Sequence, residues 1–258
     1  MKGHTDSVNC AYITDNGGQI FSGSSDKSIK LWNVKSKKIV KSFEGHTDSV
    51  STLHYGNSKL ISGSRDKSIL IWDPTTGKLL CTLNGHKGGI NAVQYVDSTI
   101  ISASADNTLK IFDARTEKCT RTIEGHADEV TCIQFDRDNY TVLSGSADKS
   151  IKEWDLRLAS QECIHTYSGH TDWVRSISVD ANKIISGSQD KTVKIWNRHR
   201  DKLEQTLNGH TDSVLSVQHD KKKILSVGKD KQLRIWAPKE EGNNSVPSTP
   251  KLLLKKFM

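Results

Sequence analysis

A serine, a histidine and an aspartate recur together along this 258-residue chain, and these three residue types can form a nucleophilic catalytic triad. Each histidine follows a glycine. Further along come a serine, an aspartate four residues after it, and an aromatic residue six residues after the aspartate. A catalytic centre is needed once, whereas this set occurs six times at intervals of 40 to 44 residues. We therefore expect the set to have a structural role and the chain not to be a hydrolase.

The six sets share their spacing and differ mainly in the aromatic member. In chain order they are His4, Ser22, Asp26 and Trp32; His46, Ser62, Asp66 and Trp72; His86, Ser102, Asp106 and Phe112; His126, Ser144, Asp148 and Trp154; His170, Ser186, Asp190 and Trp196; and His210, Ser226, Asp230 and Trp236. A self-similar period of this length is typical of a repeat protein, and each set belongs to one repeat.

Short strand-like runs separated by turn residues place these side chains. In the second repeat they are Val50–Tyr55, Lys59–Ser64, Ser68–Trp72 and the weaker Lys78–Leu83. Apolar and polar residues alternate, and no stretch has a helical period, so we predict an all-β fold with four antiparallel strands per repeat. One such sheet cannot bury both of its faces. Radial stacking of copies into a closed ring solves this problem, and each sheet is then a blade of a β-propeller.

The combination of Gly-His, Ser-Gly-Ser-x-Asp and Trp-Asp resembles the WD-repeat β-propeller family. The Trp-Asp pair is intact at Trp72-Asp73 and Trp154-Asp155 and varied in the other repeats. The resemblance implies a closed propeller of six blades, or alternatively an incomplete seven-bladed one. It also implies a structural tetrad, in which Asp and Ser hold His and His reaches Trp. Phe112 has no N–H group, so the third tetrad is predicted to be the weakest.

We predict one propeller domain over residues 1–236. Its units lie near residues 3–44, 45–84, 85–124, 125–168, 169–208 and 209–236. A polar linker follows over 237–251. The run from Lys251 to Phe257 then resembles the run from Lys38 to Phe43, and residues 252–258 are predicted to supply the outer strand that the last blade lacks. The alternative is a disordered tail with a docking motif.

Partner binding is expected where equivalent positions of the repeats differ. The resemblance implies a top face lined by the residues three and five after each Gly-His histidine and by the residue before each tetrad aspartate. Trp173 stands out in the first group, where its counterparts are Ser7, Ser49, Gly89, Glu129 and Ser213. Arg175 follows two residues later, so it points to the same side of a strand. The predicted partner-binding residues are Trp173, Arg175, Arg65, Lys229, Gln189 and Leu215.

Trp and Arg frequently dominate interfaces, and the added cations favour an acidic or phosphorylated peptide. The alternative for Trp173 is a surface side chain covered by its own loop. Glu153 is a second departure, because aliphatic residues occupy its place in the other repeats. A carboxylate at that buried place must find a cation or water. The sequence identifies no partner for it.

Composition limits the remaining function classes. The net charge of +7 is spread over all repeats, which does not favour nucleic acid, and no run is long enough to span a membrane. The five cysteines have no zinc-site spacing and are predicted to be reduced thiols, so we expect no metal and no cofactor. We predict a cytoplasmic protein, with the nucleus as the alternative, that is a monomer joining a larger complex.

The leading hypothesis is therefore a non-enzymatic scaffold that binds peptide segments or protein partners on the top face. One alternative is a substrate-recognition subunit of a ubiquitin-ligase-type assembly that reads acidic or phosphorylated motifs. A further alternative is a ribosome- or RNA-associated propeller, which the positive net charge alone suggests.

Overall fold

A computed structural model describes residues 2–14, 16–158, 162–220 and 223–237. Its elements are β-strands, and no helix in these residues is long and apolar enough to cross a bilayer. The all-β prediction is thereby confirmed. The chain divides into two compact units, with the boundary between Ile133 and Gln134.

Three complete four-stranded blades form the bulk of the first unit. The first blade consists of β1 (Val8–Ile13), β2 (Gln19–Ser24), β3 (Ile29–Asn33) and β4 (Ile39–Phe43). The second consists of β5 (Val50–Gly56), β6 (Lys59–Ser64), β7 (Ile69–Trp72) and β8 (Leu79–Leu83). The third consists of β9 (Ile90–Val96), β10 (Thr99–Ser104), β11 (Leu109–Asp113) and β12 (Lys118–Ile123). Neighbouring strands within each blade pair antiparallel in chain order.

The remaining sheets follow the same plan. The fourth blade consists of β13 (Val130–Asp136), β14 (Thr141–Ser146), β15 (Ser150–Asp155) and β16 (His165–Ser168), and the unit boundary falls within β13. The fifth consists of β17 (Val174–Val179), β18 (Lys183–Ser188), β19 (Thr192–Asn197) and β20 (Lys202–Asn208). The sixth has β21 (Val214–His219), β22 (Ile224–Gly228) and β23 (Leu233–Trp236) among the described residues. The predicted linker from residue 238 onward and the predicted strand at 252–258 lie outside them.

The hydrophobic core of each unit lies between adjacent blades. In the first unit, one cluster joins Phe21 and Phe43 of the first blade to Leu60 and Trp72 of the second. In the second unit, another joins Ile185 of the fifth blade to strands of the sixth. Stacking of sheets therefore supplies the burial that a single sheet could not achieve.

The Ser-Gly-Ser runs permit this stacking. A Cβ atom on Gly63 would lie 2.5 Å from Ile90 Cγ2 of the next blade, and one on Gly23 would lie 2.6 Å from Val50 Cγ1. At Gly23 and Gly63 the second strand therefore needs a residue without a side chain so that the first strand of the next blade can approach it, while Ala103 and Val227 hold this place in the third and sixth blades.

The β1 face of the first blade is exposed. Val8 is 55% exposed, although Val50 and Ile90 at the equivalent places are fully buried. Ile13, at the other end of β1, is 58% exposed. Val50 is covered by β2, the strand that contains Gly23. Among the described residues of the first unit, no strand covers Val8 in this way.

Candidate functional site

The Ser-His-Asp sets form hydrogen-bonded chains that end on the aromatic residue of the same blade. In the second blade, His46 Nδ1 donates to Asp66 Oδ2 (2.8 Å), and Ser62 Oγ donates to His46 Nε2 (2.7 Å). Trp72 Nε1 then donates to Ser62 Oγ (2.8 Å). The carboxylate also accepts the backbone N–H of Thr47 at 2.9 Å. The serine hydroxyl therefore donates its proton to the histidine and accepts the indole N–H with a lone pair.

This geometry agrees with the predicted tetrad and adds the role of the serine. Asp and Ser hold His. The histidine and indole rings meet edge to face, with their centroids 6.3 Å apart in the second blade, and the hydrogen bonds between them run through the serine hydroxyl. The same Asp–His and His–Ser bonds occur in the sets of His4, His86, His170 and His210.

The third set departs from this arrangement in its aromatic member. In the third blade Ser102 bonds His86 at 2.8 Å, and Phe112 has no donor to offer it. In the fourth, Trp154 Nε1 donates to Ser144 Oγ at 2.8 Å, and His126 is buried. That the third tetrad is the weakest stays a prediction. At Gly45 a Cβ would lie 2.9 Å from Trp72 Cη2, so the indole requires glycine there, whereas Gly85, which precedes His86, has a φ of +146° that favours glycine.

In the second and third tetrads the charges are those of a structural carboxylate and a neutral imidazole. Burial acts to raise the pKa of the Asp106 carboxyl, but hydrogen bonds from Thr108, from the Lys87 N–H and from His86 outweigh it and hold that pKa at about 2. Burial lowers the pKa of His46 and His86, and Asp66 and Asp106 partly oppose it. A neutral imidazole accepts from serine, whereas an imidazolium could not.

We expect the protein to lose stability as the pH falls below about 6.5, where these histidines bind protons in the unfolded chain. In the fold, His46 and His86 stay neutral to a lower pH because burial depresses their pKa values. The unfolded state then binds more protons, so the free energy of unfolding decreases by up to about 1.4 kcal/mol per pH unit for each histidine. Urea unfolding at about pH 7.5 and about pH 5.5 measures this slope. Replacing His86 by Gln should reduce it, and a pH-independent midpoint would contradict the prediction.

A further Ser-His-Asp set lies outside the tetrads, in the second unit. His219 Nδ1 accepts from Ser178 Oγ (2.8 Å), and His219 Nε2 donates to Asp180 Oδ2 (3.0 Å). The repeat pattern does not reveal this set, because its residues belong to two different repeats. The set joins the first strands of the fifth and sixth blades, which Val217 N–H also joins by donating to Ser176 Oγ (3.1 Å). Its geometry accounts for cohesion between blades.

The residues five after the Gly-His histidine are β-bulges in five of the blades. The strand register shifts at this position in β1, β5, β9, β17 and β21. In the first unit these residues tie adjacent blades together: Asn9 Nδ2 donates to Val50 O (3.0 Å), and Asn91 Nδ2 to Val130 O (2.9 Å). Much of this predicted top-face group therefore serves packing. A bulge also re-aims a side chain, which makes an atypical residue at this position informative.

Arg175 is the atypical bulge residue, and it contacts Trp173. Its guanidinium carbon lies 4.8 Å from the centre of the Trp173 ring. With the Gln189 amide oriented by its neighbours, the Gln189 oxygen accepts from Arg175 Nε (2.8 Å) and Nη2. The structure thus brings these three predicted residues together. The reason given by strand alternation was wrong, since Trp173 precedes β17 and Arg175 is bulged.

Of the other predicted binding residues, Lys229 lies on a loop of the sixth blade that is equivalent to the Gln189 loop of the fifth. Lys229 N–H donates to Ser213 O (2.8 Å), just as Gln189 N–H donates to Trp173 O (2.9 Å), so each pair of loops is joined in the same way. Leu215 is the bulge residue of β21 and is 50% exposed. The backbone N–H of Ser213, and then Lys229 and Lys191, lower the pKa of Asp212, which places both lysines near this surface. Arg65 is exposed and belongs to the first unit.

Glu153 has a cation that the sequence analysis did not find. Arg198, in the fifth blade, donates through Nε to Glu153 Oε1 (3.0 Å) and through Nη1 to Asp136. Tyr167 Oη and Thr141 Oγ1 donate to the same carboxylate at 3.1 and 3.0 Å. Burial acts against the charged guanidinium, but the two carboxylates outweigh it and raise the pKa of Arg198. This group is called the Glu153 cluster below.

Comparison with known sequences gives the family. Residues 1–33, 37–73, 77–113, 117–155, 161–197 and 201–237 match the family described as WD domain, G-beta repeat. The chain belongs to the WD-repeat family. The six predicted repeats and the propeller fold class are confirmed, and WD-repeat propellers are typically protein-interaction scaffolds that are generally non-enzymatic.

Curated relatives match over short stretches of this WD-repeat chain. A protein named probable E3 ubiquitin ligase complex SCF subunit scon-2, from Neurospora crassa, is 36% identical over 50 residues, which are 19% of this chain and 8% of that protein. Mitochondrial division protein 1 from Saccharomyces cerevisiae is 27% identical over 92 residues, covering 29% of this chain and 13% of its own length. WD repeat-containing protein 18 from Rattus norvegicus is 44% identical over 41 residues, covering 16% and 10%. The chain thus spans a small part of each of these relatives.

Proposed function

We propose that this WD-repeat protein is a scaffold that binds an acidic peptide segment at the surface formed by Trp173, Arg175, Gln189, Leu215 and Lys229. This set is called the Trp173 surface. The observation that carries the proposal is the stacked pair of Trp173 and Arg175. It occupies positions where the first blade has Ser7 and Asn9, and where Asn9 serves to join blades.

The arrangement suits a carboxylate or phosphate ligand. Stacking on Trp173 and the bond to Gln189 hold the guanidinium in one orientation, which reduces the side-chain entropy that binding would otherwise cost. An oriented guanidinium can form paired hydrogen bonds to a planar carboxylate or a phosphate. Lys229 and Lys191 add positive charge, and Leu215 offers an exposed apolar contact for the flanking residues of a peptide.

We expect the double variant W173S/R175N to lose at least about tenfold in affinity for acidic peptides, because it replaces both anchors by the residues of the first blade. The probes are fluorescent peptides that share one sequence and carry phosphoserine, aspartate or unmodified serine. The matched control is R115N, which removes an exposed arginine from the first unit. It should bind like the parent, and both variants should melt close to the parent. Equal affinity of W173S/R175N and R115N would contradict the proposal.

The same peptides distinguish more specific functions of the protein. The names of the fungal SCF relatives favour a substrate-recognition role in a ubiquitin-ligase-type assembly. That role requires the phosphoserine peptide to bind much more tightly than the aspartate peptide. Similar affinities favour a general scaffold for acidic segments. Binding to RNA that falls steeply with salt, with no peptide binding, would favour the RNA-associated alternative.

A further inference from the structure

The sixth blade has an open edge at β23. This strand pairs with β22, and no described strand pairs with its other side. Leu233 is 48% exposed, whereas Ile29 and Ile69, which hold its place in the first two blades, are at most 1% exposed. Ile235 is 40% exposed. An unpaired edge with apolar side chains is a surface that accepts another strand.

The complete blades show what the missing strand should look like. Each fourth strand carries, at its end or one residue before it, a serine or threonine followed by a large apolar residue. The pairs are Ser42-Phe43, Thr82-Leu83, Thr122-Ile123, Thr166-Tyr167 and Thr206-Leu207. The apolar residue pairs with the first apolar residue of the third strand, as Phe43 does with Ile29. In the sixth blade the residue that lacks such a cover is Leu233.

Arg234 provides an independent sign of the missing strand. At its place in other blades a lysine donates to the serine or threonine of the fourth strand: Lys30 to Ser42 (3.2 Å), Lys110 to Thr122 (2.7 Å) and Lys194 to Thr206 (2.9 Å). Arg234 Nε is buried and, among the described residues, has no hydrogen-bond partner. The unmet donor lies at the register where the fourth strand would supply an oxygen.

We propose that Leu252–Phe257 of this chain adds to the free edge of β23 as the fourth strand of the sixth blade. Leu253-Leu254-Lys255-Lys256-Phe257 matches Ile39-Val40-Lys41-Ser42-Phe43 at every place except that of Ser42. This register places Phe257 over Leu233. A tether of 14 residues from Ala237 gives the segment an effective concentration in the millimolar range at its docking edge.

The register contains one mismatch, which makes the proposal testable. Lys256 stands where the other blades have serine or threonine, so it faces Arg234 with a like charge and offers no acceptor. Replacing Lys256 by Thr removes the repulsion and supplies the oxygen that Arg234 Nε lacks. The effect on a docked strand is therefore a gain, which a failure to fold cannot imitate.

We expect K256T to raise the melting temperature of the full chain by about 2–4 °C. The matched control K251T makes the same chemical change one residue before the segment and should leave the melting temperature unchanged. Deleting residues 251–258 should speed hydrogen exchange of the β23 amides at least about tenfold, because the fourth strand then no longer covers them.

Equal melting temperatures for K256T, K251T and the parent would overturn the proposal, as would β23 exchange that is the same with and without residues 251–258. Protection of β23 that grows with protein concentration would also contradict it, because the segment would then dock on a second copy. An added peptide with the sequence of residues 251–258 should restore slow exchange in the shortened chain if the edge is its site.

Discussion

Replacing Arg198 by Leu should lower the free energy of unfolding by about 3–5 kcal/mol, the cost typical of removing one partner from a buried ion pair. Arg198 is 8% exposed and Glu153 is 3% exposed, so the variant leaves a carboxylate buried without its cation. The Asp136 carboxylate loses a partner as well. The decrease is measured from urea midpoints at neutral pH, where both carboxylates are charged in the unfolded chain.

A double variant that also removes the carboxylate should recover much of the stability lost in R198L. In the first blade Leu31 holds the place of Glu153, and Val34 holds that of Arg198. The double variant E153I/R198L makes the interface apolar, as it is in the other blades, and should recover at least half of the loss. Buried ion pairs can often be replaced by hydrophobic residues at little cost.

A surface arginine is the control for the Arg198 prediction. Arg157 pairs with Asp155 while its side chain is 62% exposed, so R157L should cost less than about 1 kcal/mol. If R198L and R157L cost the same, the Glu153 cluster would not be the stabilising contact described here. If E153I/R198L were as unstable as R198L, the loss would come from packing and not from the unpaired charge.

The Glu153 cluster also shows where sequence reasoning reached its limit. Repetition alone predicts the strands and tetrads, because every repeat must satisfy the same packing. Glu153 breaks that rule, and its partner is 45 residues away in the next repeat. A signal was present nonetheless. Glu153, Tyr167 and Arg198 each replace an aliphatic or aromatic hydrocarbon side chain of the other repeats, and three such departures meet at one interface.

The Trp173 surface was predicted for a reason that was only partly right. The residue types identified it, since Trp173 and Arg175 differ from their counterparts. Their contact depends on a bulge. The sequence pattern did not reveal the bulge, because a residue inserted at the same place in the repeats does not alter their spacing. The same bulge explains why Asn9 and Asn91, which were expected on a binding face, bond the next blade.

The serine of each tetrad is the member whose loss should cost most, and the second and third blades allow a direct comparison. Ser62→Ala removes the acceptor of the buried Trp72 N–H and the donor to His46, and should cost about 2–4 kcal/mol. Ser102→Ala removes the donor to His86 alone and should cost about half as much, because Phe112 has no N–H. Urea unfolding of both variants measures the difference.

Trp72→Phe turns the second tetrad into a copy of the third and supplies the control. In that background Ser62→Ala should cost as much as Ser102→Ala does in the parent, because each then loses the histidine bond alone. Equal costs for Ser62→Ala and Ser102→Ala in the parent would mean that the indole bond adds nothing. The hydroxyl would then not be the junction of the chain, and the third tetrad would not be the weakest. We expect Ser62→Ala to cost more than Ser102→Ala because Ser62 bonds two buried side chains, whereas Ser102 bonds one.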